Sequence, residues 1–199
     1  MCSSDLTVAG VQRTLDVAAN TSRVGGSVTL ITPIASLSAD FAVETVTSVD
    51  GRETLFAANN VAAFVGDDKG TTDSADDVGV RFSGGTLVGF IAPNKTYAFD
   101  AGGTAALVGV EGLTLSGTLS VQKNTTISNV NRSITVAGVQ RTLDVAANTS
   151  RVGGSVTLIT PIASLSADFA VETVTSVDGR ETLFAADNRS EEHTSELQS

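Results

Sequence analysis

Between residues 7 and 188 the sequence has no cysteine, no histidine, no methionine and no tryptophan; the only Cys, His and Met of the 199-residue chain are Cys2, His193 and Met1. Without thiols and imidazoles there is no disulfide framework, no Cys/His zinc site and no haem ligand, and neither a Cys–His nor a Ser–His–Asp catalytic set can be assembled. The sequence reading is therefore that this is not an enzyme. Cationic residues are scarce too, 12 Lys and Arg against 22 Asp and Glu, giving a net charge of -10. With no Lys/Arg cluster to neutralise phosphates or anionic lipid headgroups, the expected partners include no nucleic acid. No apolar run is long enough to cross a bilayer as a helix, and no membrane insertion is expected. Cysteine depletion is compatible with an exported protein that avoids thiol chemistry.

What the chain does have is one block written twice. Thr7 to Asn60 recurs as Thr135 to Asn188 at an offset of 128 residues, with Asn59 becoming Asp187 as the single change. A fixed period of self-similarity is the signature of a repeat architecture, in which units bury their apolar faces against neighbours. Residues 1–6 (MCSSDL) resemble the conceptual translation of a sequencing adapter, and residues 189–199 (RSEEHTSELQS) resemble that of the opposite strand; the doubled block abuts both. They are set aside as adapter-like artefact, the second stretch being expected to be disordered. That leaves 7–134 as one complete β repeat unit and 135–188 as a partial second unit, in a slice of a longer array.

Abundant Gly, Thr, Ser, Ala and Val with only 5% aromatics suit short strands and tight turns. Thr7 to Ala9 and Val11 to Val17 read as β, against a competing short helix over Gln12 to Ala19. Gly25-Gly26, Asn59-Asn60, Gly84-Gly85 and Gly102-Gly103 read as turn or strand-breaking chemistry, Asp50-Gly51 as a hairpin, and Pro93-Asn94 as another turn. Leu37, Ala39, Phe41 and Val43 alternate with Ser38, Asp40, Ala42 and Glu44, which predicts a strand whose second face is wet. Val61 to Val65 reads as a short buried strand. The clearest alternation is Leu113 to Gln122, and its LSGTLSVQ aligns with LSADFAVE from Leu37 to Glu44. The fold class expected is all-β: elongated antiparallel β repeat modules, with a β-solenoid or tandem β-sandwich as the alternatives.

Asp67, Asp68, Asp73, Asp76 and Asp77 crowd one polar stretch around Gly70. Closely spaced carboxylates on a flexible loop are the ligand type calcium prefers, so these five are the candidate metal residues, but the spacing is not that of an EF-hand. A solvated acidic loop accounts for the same residues, and no other cofactor is expected. Asp40 and Glu44 share a strand face about 13 Å apart at a rise of about 3.3 Å per residue, too far for a glycosidase pair. The Asn-x-Thr/Ser triplets at Asn20, Asn94, Asn124, Asn131 and Asn148 are read as turns and chance matches in a Ser/Thr/Asn-rich sequence.

The run LTLSGTLSVQKNTT from Leu113 to Thr126, followed by NRSITVAGVQRTLD from Asn131 to Asp144, resembles repeat arrays of very large exported bacterial proteins. These are grouped with repetitive adhesins and haemolysin-type calcium-binding proteins and are found mainly in environmental genomes. The resemblance implies an extracellular or cell-surface location and a structural or adhesive role. Its implied partners are neighbouring repeats of the same chain and a surface or carbohydrate ligand. It brings no catalytic residues, and the glycine-aspartate nonapeptide of the calcium-binding rolls is absent.

Overall fold

The computed structural model describes residues 2–8, 11–71, 73–176 and 179–189. Their regular structure consists of strands: β1 (Cys2–Val8), β2 (Val11–Val17), β3 (Thr21–Thr32), β4 (Ala35–Ser48), β5 (Gly51–Asp67), β6 (Val78–Ile91) and β7 (Tyr97–Val108), followed by β8 (Thr114–Asn124), β9 (Val130–Val136), β10 (Val139–Val145), β11 (Thr149–Thr160), β12 (Ala163–Ser176) and β13 (Gly179–Arg189). Nine form one open antiparallel sheet in the order β13-β12-β11-β8-β7-β6-β5-β4-β3. It is a meander: every strand lies beside its sequence neighbour except where the chain leaves β8, makes the separate hairpin β9–β10, and returns as β11 next to β8. The elongated antiparallel arrangement is thus the one adopted, rather than a solenoid or tandem β-sandwiches. Of residues 189–199, expected to be disordered, Arg189 ends β13 and 190–199 lie outside the described residues.

Local turn chemistry sets the hairpins. Pro33-Ile34 joins β3 to β4, with the Thr32 hydroxyl donating to the Ala35 carbonyl and accepting from its N–H. Val49-Asp50 joins β4 to β5, with Gly51 at φ 119°, a backbone state open to glycine at little cost. Elsewhere the strands run through signals that read as turns. Asn59-Asn60 lies inside β5 as an irregularity, Asn60 taking φ 52° where the pairing to β4 and β6 slips. Gly84-Gly85 does the same in β6, with Gly84 at φ 61° and the register to β7 shifting between Ser83 and Thr86. One left-handed residue can end a strand or bulge it, and a partner strand continuing on both sides makes it a bulge. Gly25-Gly26 and Gly102-Gly103 are ordinary strand interior, and Val11 to Val17 is a strand, not part of a helix. Val61 to Val65 belongs to β5, and Val65 is 60% exposed rather than buried.

The core lies on one face of the sheet. Cross-strand registers align Ala42, Ala57 and Val88 in one row and Leu55, Phe90, Ala98 and Asn124 in the next. The β9–β10 hairpin lies over β4 to β8 and closes this face with Val130, Ile134, Val136, Leu143 and Val145. Leu143 and Val136 are fully buried, each a contribution of roughly 1.5–3 kcal/mol. This reverses the expected faces of β4: Ala42, on the face expected to be wet, is 3% exposed, while Leu37 on the apolar face is 40% exposed. Alanines at 42, 57 and 98 leave room for the hairpin, which brings the bulk. On the opposite face aromatic rings lie against glycines: a methyl group added at Gly89 would collide with Phe56, and one at Gly103 with Phe82.

The two copies of the doubled block take the same secondary structure. β3–β4 and β11–β12 pair in identical register, Leu30 with Leu37 and Leu158 with Leu165. β1–β2 pairs as β9–β10 does, so Cys2 to Leu6 stand where Val130 to Ile134 stand in the second hairpin. That second hairpin straddles the sequence boundary at Ile134/Thr135, packing on the sheet of the unit before it.

Candidate functional site

The acidic stretch forms the loop from β5 to β6. Each carboxylate of the predicted metal set has a partner of its own. Asp67 accepts from the Lys69 ammonium (2.8 Å) and the Lys69 backbone N–H (2.9 Å). The Lys69 side chain, then its N–H, hold the Asp67 carboxyl below its ordinary value, and Asp67 raises Lys69 in return. Asp68 accepts from the Gly70 N–H at 3.0 Å and Asp73 from the Ala75 N–H at 3.0 Å, the local turns that short acidic side chains favour. Asp76 accepts from the Thr71 hydroxyl at 3.0 Å. Asp77, 8% exposed, accepts from Arg81 at 2.7 Å, and Arg81 also donates to the Ser74 carbonyl at 2.9 Å.

The loop is thereby tied down at both ends, by Lys69 and by Arg81, and no group of three or more acidic, His or Cys side chains among the described residues is arranged to hold a metal ion. The carboxylates cap backbone and cations, whereas calcium takes six to eight oxygens directed at one point. Beside the loop, the β3–β4 turn borders a groove of about 410 Å³, with Pro33, Ile34 and Phe64 on its apolar wall and Asp68, Thr71 and Arg81 among its polar groups. A Gly66 N–H to Ile34 carbonyl bond of 3.1 Å holds the turn against the end of β5.

Asp40 and Glu44 are both engaged in the sheet. Asp40 accepts from Ser27 (2.5 Å) and Asn60 (2.9 Å), and these two donors, Ser27 foremost, hold its carboxyl below the ordinary value. Glu44 sits opposite Arg23 on β3 and Leu55 on β5. The Asn-x-Thr/Ser asparagines do turn work where bonds are formed: Asn94 accepts from the Thr96 N–H at 3.0 Å, and Asn20 and Asn148 take left-handed φ of 59° and 52°. Asn124, 2% exposed, donates to the Ser128 and Val145 carbonyls and accepts from the Thr126 N–H, anchoring the segment that enters the hairpin.

The side chain that sequence reasoning missed is Asn59. It is 1% exposed beneath the hairpin, donates to the Val136 carbonyl at 3.3 Å, and accepts from Arg141. The signal was present: Asn59 is the one position at which the doubled block changes, to Asp187. In the second copy no hairpin among the described residues lies above, and Asp187 is exposed.

The same contrast recurs wherever the two copies have different neighbours. Arg23 reaches the Thr135 carbonyl of the hairpin at 2.6 Å, whereas its counterpart Arg151 pairs with Glu172 at 2.7 Å. Ser27 donates to Asp40, whereas its counterpart Ser155 pairs with Thr118 of β8 at 2.9 Å. Leu55 is 9% exposed and its counterpart Leu183 57%. Comparison with family models, with curated proteins and with solved structures finds no match to this chain.

Proposed function

We propose that the chain is a non-enzymatic structural segment of a large surface-exposed or secreted protein, one that extends a single β sheet unit by unit. The observation carrying this reading is the junction between the copies. β11, identical in sequence to β3, lies directly beside β8 and carries the same sheet into the second copy. The junction hairpin covers the face of the unit it leaves, so each unit's core is completed by the next. Each unit contributes six strands, β3 to β8, to the sheet, and at about 4.8 Å between strands adds roughly 29 Å to it. Spacing and display need no unique chemistry, in keeping with a repeat that contains no His or Cys. Small-angle scattering from chains of one, two and three units tests this. The largest dimension is expected to grow by a constant increment per unit, and a compact particle whose radius rises only as the cube root of mass would refute it.

A second reading, a calcium- or carbohydrate-binding β module, draws on the groove beside the acidic loop, where an apolar wall meets Arg81, Thr71 and Asp68. Hydroxyl, carboxylate and guanidinium groups beside an apolar wall suit a polyhydroxylated ligand. A ligand that binds only the native chain must raise its melting temperature. Calorimetric scans with calcium and with a panel of soluble oligosaccharides test both forms, and unchanged melting under each removes this reading.

A further inference from the structure

We infer that the open edge of β3 is an acceptor for a strand of β8 sequence, added antiparallel in the register that β8 takes on β11. The inference rests on the sheet-extending reading and names the partner of its open side. β3 and β11 share all twelve residues, TSRVGGSVTLIT, and the same partner on one side, β4 and β12 respectively. They differ on the other side: β11 has β8, and β3 is the last strand of the sheet.

The side chains register that difference. Val24 and Leu30 are 60% and 56% exposed, while their counterparts Val152 and Leu158 are half-buried; Ile31 is 75% exposed and Ile159 45%. Ser155 turns to β8, its hydroxyl pairing with Thr118 and its N–H donating to the Thr118 hydroxyl at 3.2 Å, while Ser27 turns back to Asp40.

The backbone is arranged for the same strand. The Asn20 carbonyl accepts from the Thr47 N–H and the Asn148 carbonyl from the Thr175 N–H, so even-numbered residues of β3 bond β4 just as even-numbered residues of β11 bond β12. Alternation then directs the N–H and C=O groups of Arg23, Gly25, Ser27, Thr29 and Ile31 to the open side. Edges that avoid pairing are short or carry Pro, Lys or a protecting bulge. β3 is twelve residues long, has Arg23 as its only charge, and pairs with β4 without a register shift.

The β8 sequence fits this edge as it fits β11. Transferring the β8–β11 register places Leu115 opposite Leu30, Gly117 opposite Val28, Thr118 opposite Ser27, Leu119 opposite Gly26 and Val121 opposite Val24. Large side chains then face glycine twice, at Gly117 and Gly26, as Gly117 faces Val156 and Leu119 faces Gly154 in the existing pair. Nothing in the first hairpin need block the approach, because its counterpart β9–β10 lies over β4 to β8 and leaves the β11 edge to β8.

The test adds a synthetic peptide spanning 111–125 to the full chain. Expected are one peptide per chain and slowed amide exchange at Arg23, Gly25, Ser27, Thr29 and Ile31. A peptide N-methylated at Thr118, whose amide would face β3, should bind at least about tenfold more weakly, the equivalent of one lost hydrogen bond of about 1.4 kcal/mol. N-methylation at Leu119, whose amide points away, should leave binding unchanged. No binding, equal effects of the two methylations, or protection confined to β13 would overturn the inference. So would a peptide-free dimer that already protects β3, since a second copy's edge would then be the occupant. Because the chain's lengthening with unit number is read separately by scattering, failure of the peptide alone leaves the spacer reading standing.

Discussion

Leu55 and Leu183 are the same residue in the same local sequence, and replacing each by alanine separates local preference from neighbourhood. Removing three carbons from leucine forfeits about 2.4 kcal/mol of transfer free energy at about 0.8 kcal/mol per methylene. Leu55 is 9% exposed in the core that joins the sheet to the β9–β10 hairpin, so nearly all of that is lost, and the residual cavity brings the expected cost to about 2.5–4 kcal/mol. Leu183 is 57% exposed on β13, so less than half of the transfer term applies and the expected cost is about 1 kcal/mol. Urea denaturation followed by far-ultraviolet circular dichroism measures both, with an unchanged slope needed before midpoints are read as stability. Amide exchange supplies a spatial check: Leu55→Ala should loosen residues 130–145, and Leu183→Ala should leave them protected. Equal destabilisation by the two substitutions, or a larger effect at Leu183, would refute the claim that the hairpin completes the core of the unit before it.

Other consequences follow from single contacts. Asn59→Leu removes both the donor to Val136 and the acceptor for Arg141 beneath the hairpin, and the stranded polar groups should cost about 2–4 kcal/mol, with exchange in β9 and β10 accelerating first. Gly89→Ala would drive a methyl group into the Phe56 ring and should cost about 1–3 kcal/mol by overpacking, read as a lowered melting temperature. Asp40 has a depressed folded-state pKa, so its contribution to stability is present above the ordinary carboxylate range and is lost as pH falls through the depressed value. Ser27→Ala should move the Asp40 titration upward, towards the ordinary value, as followed by carboxyl carbon chemical shifts; an unmoved titration would show that the Ser27 bond does not set it. Thr157→Pro should destabilise the chain more than Thr29→Pro, since the Thr157 amide serves the β8 ladder whereas the Thr29 amide faces the open edge.

The all-β class and several hairpins were legible because their causes are local. Asp50-Gly51 and Pro93-Asn94 specify reversals within a few residues, and the strict alternation at Leu113 to Gln122 specifies a strand. The acidic loop was legible as a loop for the same reason. Its carboxylates were not legible as partners of Lys69, Thr71 and Arg81, because which donor each one meets depends on the path of the loop. Asn59-Asn60 and Gly84-Gly85 show where local reading ends: the left-handed φ they supply serves a turn or a bulge equally well, and only the continuing partner strands made them bulges.

The sequence by itself determined the period and the strand-forming character, whereas the order of the strands, with β11 beside β8 and the β9–β10 hairpin set apart, came only with the tertiary structure. Tertiary structure alone decided burial. Two copies differing at one position place Leu55 in a core and Leu183 in solvent, send Arg23 to a hairpin carbonyl and Arg151 to Glu172, and leave β3 open where β11 is paired. Backbone conformation is chosen by forces within a few residues, whereas removal of apolar surface from water is a property of whatever lies on the other side.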